Sequence, residues 1–412
     1  DELMIISKRP GSARTIRIES AAIDPMTPNP SSIAESTTFG GHTPGLMTDG
    51  RFVIWRAQAP YSRYVTMVLD TTELDGGGAT PIEWDVGTYR YTHLGARLAN
   101  GWIARGRFDQ ASAPDDNNQA LDLLLSNLDD ELGANPIILS VAETPGRLLF
   151  DLSHQYLIWS SAGNDRVRAL ESPFETTQPF DLDASATPGE GRFSAGPWIS
   201  GGIAAWTTYD DVLGVSDLVV WLMDEPLEPG ENPRSLGAGY APLISSAYEP
   251  SLTSRRISWI NEDFQVVTRD LADSGSENRV LTSGDECRRN LLQSGRFLVW
   301  LKRSPGTTFS GATRSRICSG PGIDSAWALE FIDTLALDDA RAEPMTISTD
   351  ADYPGPLSFV AGDIGFAWTI RALPESESAP SFDSIYQTFF FNPNAPIIEG
   401  VNPVALAPQG EE

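Results

Sequence analysis

Short hydrophobic segments recur along the chain at similar spacing, and most of them end in tryptophan. In residues 52–55 (FVIW) four consecutive apolar side chains cover both faces of a predicted strand, because successive side chains of a strand point to opposite faces. Six segments share this pattern: 50–55 (GRFVIW), 154–159 (HQYLIW), 201–206 (GGIAAW), 254–259 (SRRISW), 295–300 (GRFLVW) and 363–368 (DIGFAW). A seventh segment, 101–106 (GWIARG), keeps the spacing without the final tryptophan.

A second apolar strand follows each segment after a short turn. The clearest pair is 257–260 and 264–271, which only Asn261, Glu262 and Asp263 separate. Such a short connection requires antiparallel pairing, since a parallel crossover needs a dozen residues or more. An antiparallel sheet that is apolar on both faces must be covered on both faces, as the blades of a β-propeller are. We therefore predict an all-β protein, a β-propeller of four-stranded antiparallel blades.

The spacing predicts the number of blades. The tryptophan positions lie about 52 residues apart on average, which suits one four-stranded blade with its loops. Residues 3–7 and 15–19 form one more strand pair, so eight blades in a single domain, residues 1–412, are preferred. The first blade would lack its innermost strand, and residues 401–407 would supply it, closing the ring by pairing the N- and C-terminal segments. Seven blades plus an N-terminal hairpin is the alternative.

The repeat unit resembles a known family. It reads Asp-Gly or Ser-Gly, three or four apolar residues, tryptophan, a turn, and an apolar strand ending in Asp-Leu, best seen in 47–55 (MTDGRFVIW) and 266–271 (VVTRDL). This pattern resembles the TolB-like (WD40-like) propeller repeat of bacterial envelope proteins, although the Ser-Pro-Asp-Gly of that family is never complete here. The resemblance implies a propeller that binds other proteins; a few members are polysaccharide lyases or carry a peptidase domain.

The charge of the chain narrows the range of partners. The formal net charge is −27, and a surface this acidic repels phosphate backbones and anionic lipid headgroups. No run of the sequence approaches the roughly 18 uncharged apolar residues that a membrane helix needs. We therefore expect neither a nucleic-acid partner nor direct membrane insertion.

Two cysteines, Cys287 and Cys318, flank the segment that ends at Trp300. An even, minimal count favours one disulfide in an oxidising compartment. Closing a loop of about 30 residues would stabilise the fold by roughly 3–4 kcal/mol in the chain-entropy model. We predict a Cys287–Cys318 disulfide and an extracytoplasmic location of bacterial type, whether periplasmic, cell-surface or secreted; two unrelated buried thiols are the alternative.

The sequence lacks the familiar enzyme motifs. It has no Gly-x-Ser-x-Gly nucleophile turn, no His-Glu-x-x-His zinc helix and no paired Cys-x-x-Cys ligands. We therefore predict no catalytic residue and no cofactor, and the balance favours a protein that is not an enzyme.

His42 and His93 are the candidate metal ligands. Each lies 13 residues before the tryptophan position of its repeat and 8 before a glycine. Equivalent positions in adjacent blades would bring them side by side at the central channel, where neutral imidazoles could bind a metal. The alternative is that both histidines satisfy local hydrogen bonds on inner strands.

Two further features invite a binding role. Acidic pairs in predicted turns are candidate Ca²⁺ ligands, since Ca²⁺ takes six to eight oxygens; solvated carboxylates are the alternative. These pairs occur at 115–116, 129–131, 210–211, 338–339 and 350–352. Three tryptophans do not fit the spacing of the predicted strands: Trp84, Trp198 and Trp327. They are either binding platforms or part of the core packing.

We predict from these observations a non-enzymatic binding or scaffold propeller that presents its loops and channel mouth to a protein partner, which includes a second copy of itself. One alternative is a polysaccharide-active enzyme, a lyase or hydrolase, with its site in the central channel. Another is a self-assembling or adhesive surface module, either with or without a dependence on Ca²⁺.

Overall fold

A computed structural model gives the fold of the chain. The residues that it describes are 2–8, 15–22, 30–37, 47–49, 51–59, 63–72, 82–84, 96–108, 121–130, 136–140, 148–161, 166–183, 192–200, 202–210, 215–228, 231–238, 251–253, 256–273, 276–283, 286–294, 297–303, 327–338, 343–348, 358–362, 365–372, 385–392 and 404–406.

The described residues form 31 strands in eight sheets. Sheet 1 contains β1 (Glu2–Lys8), β2 (Thr15–Ala22) and β3 (Pro30–Thr37); sheet 2 contains β4 (Met47–Thr48), β5 (Phe52–Ala59), β6 (Arg63–Asp70) and β7 (Ile82–Trp84). Sheet 3 contains β8 (Arg97–Ala99), β9 (Trp102–Phe108), β10 (Leu121–Asn127) and β11 (Ile137–Ser140); sheet 4 contains β12 (Leu148–Leu152), β13 (Tyr156–Ser161), β14 (Arg166–Glu171) and β15 (Phe180–Asp183).

The remaining four sheets follow in chain order. Sheet 5 contains β16 (Arg192–Ser200), β17 (Ile203–Asp210), β18 (Val215–Leu222) and β19 (Arg234–Ala238); sheet 6 contains β20 (Ser251–Thr253), β21 (Arg256–Ile260), β22 (Val266–Asp270) and β23 (Arg279–Val280). Sheet 7 contains β24 (Cys287–Ser294), β25 (Phe297–Arg303), β26 (Trp327–Asp333) and β27 (Met345–Ser348), with a 3-10 helix, Thr334–Asp338, after β26. Sheet 8 contains β28 (Ser358–Gly362), β29 (Gly365–Ala372), β30 (Ile385–Phe391) and β31 (Val404–Leu406).

Each sheet is an antiparallel meander in which every strand pairs with the next strand of the chain. From sheet 2 to sheet 8, the first strand of each sheet contacts the first strand of the following sheet. These first strands therefore form one continuous inner row, and the later strands of each sheet extend outward from it. Repeated four-stranded meanders around a shared inner row are the arrangement of a β-propeller.

The hydrophobic core lies between neighbouring sheets. One buried cluster combines residues of sheets 3 and 4, a second those of sheets 4 and 5, and a third those of sheets 5 and 6. Trp55, Trp206 and Trp300 are among the largest fully buried side chains. The burial of both faces that the consecutive apolar residues predict is therefore confirmed in these sheets.

Sheet 3 departs from the predicted spacing by one residue. The tryptophan is the fourth residue of the second strand in sheets 2 and 4–8, and in sheet 3 that position is Arg105 rather than Gly106. The predicted spacing aligned Gly101 with Gly50, Gly201 and Gly295, which stand two residues before their second strands, whereas Gly101 directly precedes β9. The turn before β9 has Asn100 and Gly101 between the paired residues Ala99 and Trp102. Both turn residues have positive φ, 49° and 76°, as a two-residue hairpin turn requires.

The C-terminal segment also lies elsewhere than predicted. Residues 401–407 were expected to complete sheet 1, but β31 pairs with β30 as the fourth strand of sheet 8. Pairing with a strand nearby in the chain closes a far shorter loop than pairing with residues 3–7 would, so it costs less entropy. Sheet 1 has three strands. The number of blades, the closure of the ring and the single domain stay predictions.

Candidate functional site

An ion pair on the inner row joins three sheets. Asp151 on β12 accepts a hydrogen bond from Nε of Arg97 on β8 at 2.9 Å, and a second from the backbone N–H of Ile199 on β16 at 2.9 Å. These strands are the first strands of sheets 3, 4 and 5, so one carboxylate connects three consecutive sheets.

The environment of Asp151 is unfavourable for a charge. Burial raises the pKa of Asp151 above its ordinary value of 3.8, and the Arg97 charge and the N–H groups of Ile199 and Leu152 oppose that rise. A costly buried charge held by several donors acts here as a structural tie. Arg97 keeps 32% of its side chain exposed, so the inner row also presents a positive group to solvent.

One end of the sheets, which we call the turn face, contains the connections from first to second strands and from third to fourth strands. Backbone hydrogen bonds fasten these two connections to each other in four consecutive sheets. The residue after the third strand donates to the turn before the second strand: Thr71 to Arg51, Leu128 to Gly101, Ser172 to Gln155 and Met223 to Gly202, at 2.7–3.0 Å. The turn face is therefore a set of mutually braced turns.

Short polar side chains fix the start of the third-to-fourth connections. In four sheets the last residue of the third strand is an aspartate or asparagine whose Oδ1 accepts the backbone N–H of the residue two positions later, at 2.9–3.0 Å. These residues are Asp70, Asn127, Asp270 and Asp333. Aspartate and asparagine favour such turns because the side chain replaces a backbone acceptor. The Asp-Leu ending of the repeat thus has a structural reason.

Sheets 2 and 3 are tied together at the turn face. Oδ2 of Asp49 accepts the backbone N–H of Gly101 at 2.7 Å, and Arg51 pairs with both Asp70, at 3.0 Å, and Asp129. The hydrogen bonds that Asp70 accepts from Arg51 and Thr72 lower its pKa, although burial opposes this. These contacts place a fixed network of carboxylates at the boundary of two sheets.

The turn face is also strongly acidic. Many of its described carboxylates are exposed and lie at the end of a third strand or in the turn that follows it: Asp129, Asp130, Glu171, Glu175, Asp224, Glu228, Glu231, Asp273 and Glu277. They belong to sheets 3–6, so that negative charge continues along the turn face over four consecutive sheets.

A buried charge network lies between sheets 6 and 7. Glu330, only 5% exposed, accepts hydrogen bonds from Nε1 of Trp300 at 2.7 Å and Nζ of Lys302 at 2.8 Å. Arg288 lies 3.4 Å from Glu330, binds Glu286 at 2.7 Å, and donates to backbone carbonyls of sheet 6. Two positive and two negative groups neutralise one another, so this network is structural.

Most of the site residues predicted from the sequence lie outside the described residues. His42, His93 and Cys318 lie outside the described residues, so the metal site and the disulfide stay predictions. Cys287 begins β24 and is buried at 2% exposure. Within the described part of the chain, no group of three or more His, Cys, Asp or Glu residues could hold a metal ion.

The acidic pairs and the isolated tryptophans have mixed outcomes. Asp129 and Asp130 are both exposed, and Asp129 pairs with Arg51. Trp84 is buried at 6% exposure beneath the guanidinium of Arg105, 5.8 Å from the ring centroid, so it is core packing. Trp198 is half-buried and packs against the core of sheets 5 and 6, whereas the side chain of Trp327 lies outside the description.

Two buried carboxylates that were not predicted have a recognisable signal in the sequence. Asp151 and Glu330 are single carboxylates inside apolar strands, in 148–152 (LLFDL) and 327–332 (WALEFI). A charge at such a position needs a partner. The identity of that partner depends on neighbouring sheets, which one strand cannot reveal. Among the described residues, no helix is long and apolar enough to cross a membrane.

Comparison with known proteins adds information on the fold alone. The sequence matches no protein-family model and no curated protein. One structure from a structural and mechanistic analysis of two prolyl endopeptidases aligns over 95% of this chain and 55% of its own, at 10% identity and a TM-score of 0.50. BamB from Moraxella catarrhalis aligns over 89% and 95%, at 10% identity and a TM-score of 0.45. The β-propeller domain of Cps50 (Swd1) from Myceliophteria thermophila aligns over 78% and 92%, at 9% identity and a TM-score of 0.40.

Proposed function

We propose that this protein is a non-enzymatic, extracytoplasmic scaffold propeller whose turn face and channel mouth bind a protein partner. The observation that carries the proposal is the bracing of the turn face. Its connections are fastened by backbone hydrogen bonds and by Asx turns in successive sheets. A surface that is ordered before it meets its partner loses little entropy on binding.

The charge of the face suggests the chemistry of the partner. Exposed carboxylates follow the turn face over sheets 3–6, so a partner with basic residues would be attracted and steered to it. The extracytoplasmic location rests on the predicted Cys287–Cys318 disulfide and on the resemblance to the TolB-like repeat. No cofactor is required by this function, and a Ca²⁺ ion or a channel metal at His42 and His93 stays a prediction.

Capture from the extracytoplasmic fraction of the source cells tests this proposal. Immobilised protein should retain a specific protein that, once purified, forms a complex of defined stoichiometry with it at physiological salt. An unrelated protein of similar net charge is the control bait. If nothing binds better to this protein than to the control bait, the proposed function is wrong.

A polysaccharide-active enzyme is the competing proposal, and the observation that favours it is the exposed part of Arg97 on the inner row. An anionic sugar could pair with this guanidinium. A screen of acidic and neutral polysaccharides would support this alternative if the chain length of one polysaccharide falls and the Arg97→Ala variant abolishes the activity. No degradation of any of them would end it.

A further inference from the structure

Two leucines on the turn face are exposed although the turns that hold them are ordered. Leu227, in the connection between β18 and β19, is 45% exposed, and Leu335, in the 3-10 helix after β26, is 73% exposed. Both connections join a third strand to a fourth strand, so both leucines lie at the same end of the ring, on sheets 5 and 7. Met345, which begins β27 beside the second connection, is 49% exposed.

A buried asparagine holds the first leucine in place. Asn232 is 4% exposed; its Oδ1 accepts the N–H of Leu222 at 2.9 Å, and its Nδ2 donates to the carbonyls of Leu222, Glu225 and Pro226 at 2.8–3.2 Å. Glu228 and Asn232 also exchange two backbone hydrogen bonds of 2.9 Å. The backbone on both sides of Leu227 is thus fixed, and its exposure follows from a rigid loop.

A different device holds the second leucine. Oδ1 of Asp333 accepts the N–H of Leu335 at 3.0 Å, which fixes the start of the 3-10 helix. Leu337, two residues later, is buried at 3% exposure in the core of sheets 6 and 7 and anchors the end of the helix. With both ends anchored, Leu335 projects from the surface.

The described charged side chains in the connections that hold the leucines are acidic. The described residues of the three connections after β18, β22 and β26 include acidic and no basic side chains. Asp224, Glu228 and Glu231 flank Leu227, and Asp273 and Glu277 occupy the connection of sheet 6 between the two leucines. Exposed leucines held on ordered turns among acidic side chains offer the two components of a protein interface, apolar anchors and a polar rim.

We propose that the turn face of sheets 5–7 is the docking surface, and that its partner is a protein with apolar pockets for Leu227 and Leu335 within a rim of lysine and arginine. This inference rests on the proposed function, because it says where that function acts and with what kind of partner. Anchoring side chains in pockets carry most of the energy of such interfaces, and complementary charge provides steering and orientation.

Two model peptides of equal charge test the chemistry of the surface. One is an amphipathic lysine–leucine helix, and in the other serine replaces every leucine. Fluorescence anisotropy would measure their affinities for the wild type, for the Leu227→Ser/Leu335→Ser double variant and for Ile138→Ser. Ile138 is the matched control because it is 53% exposed on β11, the fourth strand of sheet 3.

The lysine–leucine peptide should bind the wild type. Its affinity for the double variant should be lower by about tenfold or more, a loss of about 1.4 kcal/mol or more of binding free energy. Its affinity for Ile138→Ser should differ from that for the wild type by less than about twofold. The lysine–serine peptide should bind more weakly and respond to neither variant. The Asn232→Ala variant keeps Leu227 but loosens its loop, so it should weaken the lysine–leucine peptide by a smaller factor. Equal affinity for the wild type and the double variant would overturn the inference, as would an equal loss in Ile138→Ser.

The failure of this inference can be told apart from the failure of the proposed function. If the protein captured from the cell fraction binds the double variant as tightly as the wild type, the function stands and this docking surface is wrong. If no protein is captured, the function is wrong, and the peptide measurements still decide whether the surface binds basic apolar segments.

Discussion

Glu330 offers the sharpest test of how sheets 6 and 7 are held together. It is almost fully buried and accepts hydrogen bonds from Trp300, Lys302 and Thr346, with Arg288 at 3.4 Å. The Glu330→Ala substitution removes the acceptor of a buried indole N–H and one of two negative charges that face two positive ones. Among the described residues, the buried indole N–H groups of Trp55, Trp159 and Trp206 have no hydrogen-bond acceptor. Of these four tryptophans, Trp300 is therefore the one whose indole has an acceptor that the substitution can remove.

The loss of stability in Glu330→Ala depends on the ion pairs that remain after the substitution. Removing one partner of a buried ion pair costs about 3–5 kcal/mol. Glu286 continues to pair with Arg288 and Lys302, and Lys302 is 23% exposed, so the lower end, about 3 kcal/mol, applies to Glu330→Ala. The Glu330→Gln variant keeps an oxygen acceptor without the charge, and its loss should be about half as large.

Urea unfolding, followed by far-UV circular dichroism and by tryptophan fluorescence, measures these losses. The control is Glu262→Ala, an exposed turn residue for which a change within about 0.5 kcal/mol is expected. A double-mutant cycle with Lys302→Ala should give a coupling energy of about 1 kcal/mol. If Glu330→Ala is no more destabilising than Glu262→Ala, or if Glu330→Gln loses as much as Glu330→Ala, the network does not stabilise sheets 6 and 7 as described.

Three further predictions concern single positions. Gly196 and Gly202 both have positive φ, 93° and 83°, but a Cβ at Gly196 would lie 3.0 Å from a tryptophan ring, whereas one at Gly202 would meet nothing within 4 Å. In urea unfolding, Gly196→Ala should therefore cost about 2–3 kcal/mol of stability and Gly202→Ala about 1 kcal/mol. Equal losses would contradict this packing. Burial raises the pKa of Asp151 above 3.8, so the folded state binds this proton more tightly, and the contribution of Asp151 to stability is lost as the pH rises through that raised pKa. The stability of Asp151→Asn relative to the wild type should therefore increase as the pH rises from below 3.8 through the raised pKa, and parallel pH profiles would refute this. For Cys287 and Cys318, mass spectrometry of the unreduced protein after alkylation should show no free thiol, and the double serine variant should lose roughly 3–4 kcal/mol; two alkylated thiols would exclude the disulfide.

Much of the fold could be predicted from the chain because the signal is local and repeated. Consecutive apolar residues such as those of β5 demand cover on both faces, and short turns demand antiparallel strands. The tryptophan position of sheet 3 was predicted one residue too late, because the sequence does not show whether a glycine such as Gly101 is the first or the second residue of its turn. The place of β31 could not be predicted, since either of two strand partners would satisfy an apolar C-terminal segment.

The candidate sites were harder to predict for a physical reason. Asp151, Arg97 and Ile199 come from three sheets and meet only when the inner row forms. The exposure of Leu227 depends on the hydrogen bonds of Asn232, whereas a leucine in a sequence is ordinarily read as core. The first feature arises from packing between distant segments, and the second from side-chain hydrogen bonds within one loop.

Light scattering of the purified protein, with and without a chelator and together with its bound-metal content, tests the central claim most directly. A binding scaffold that needs no metal predicts a single species with the mass of one chain, free of stoichiometric metal and unchanged by the chelator. A stoichiometric metal in a monomer would contradict this account and point to His42 and His93, and an assembly that dissociates when Ca²⁺ is removed would show that the protein is a self-assembling module.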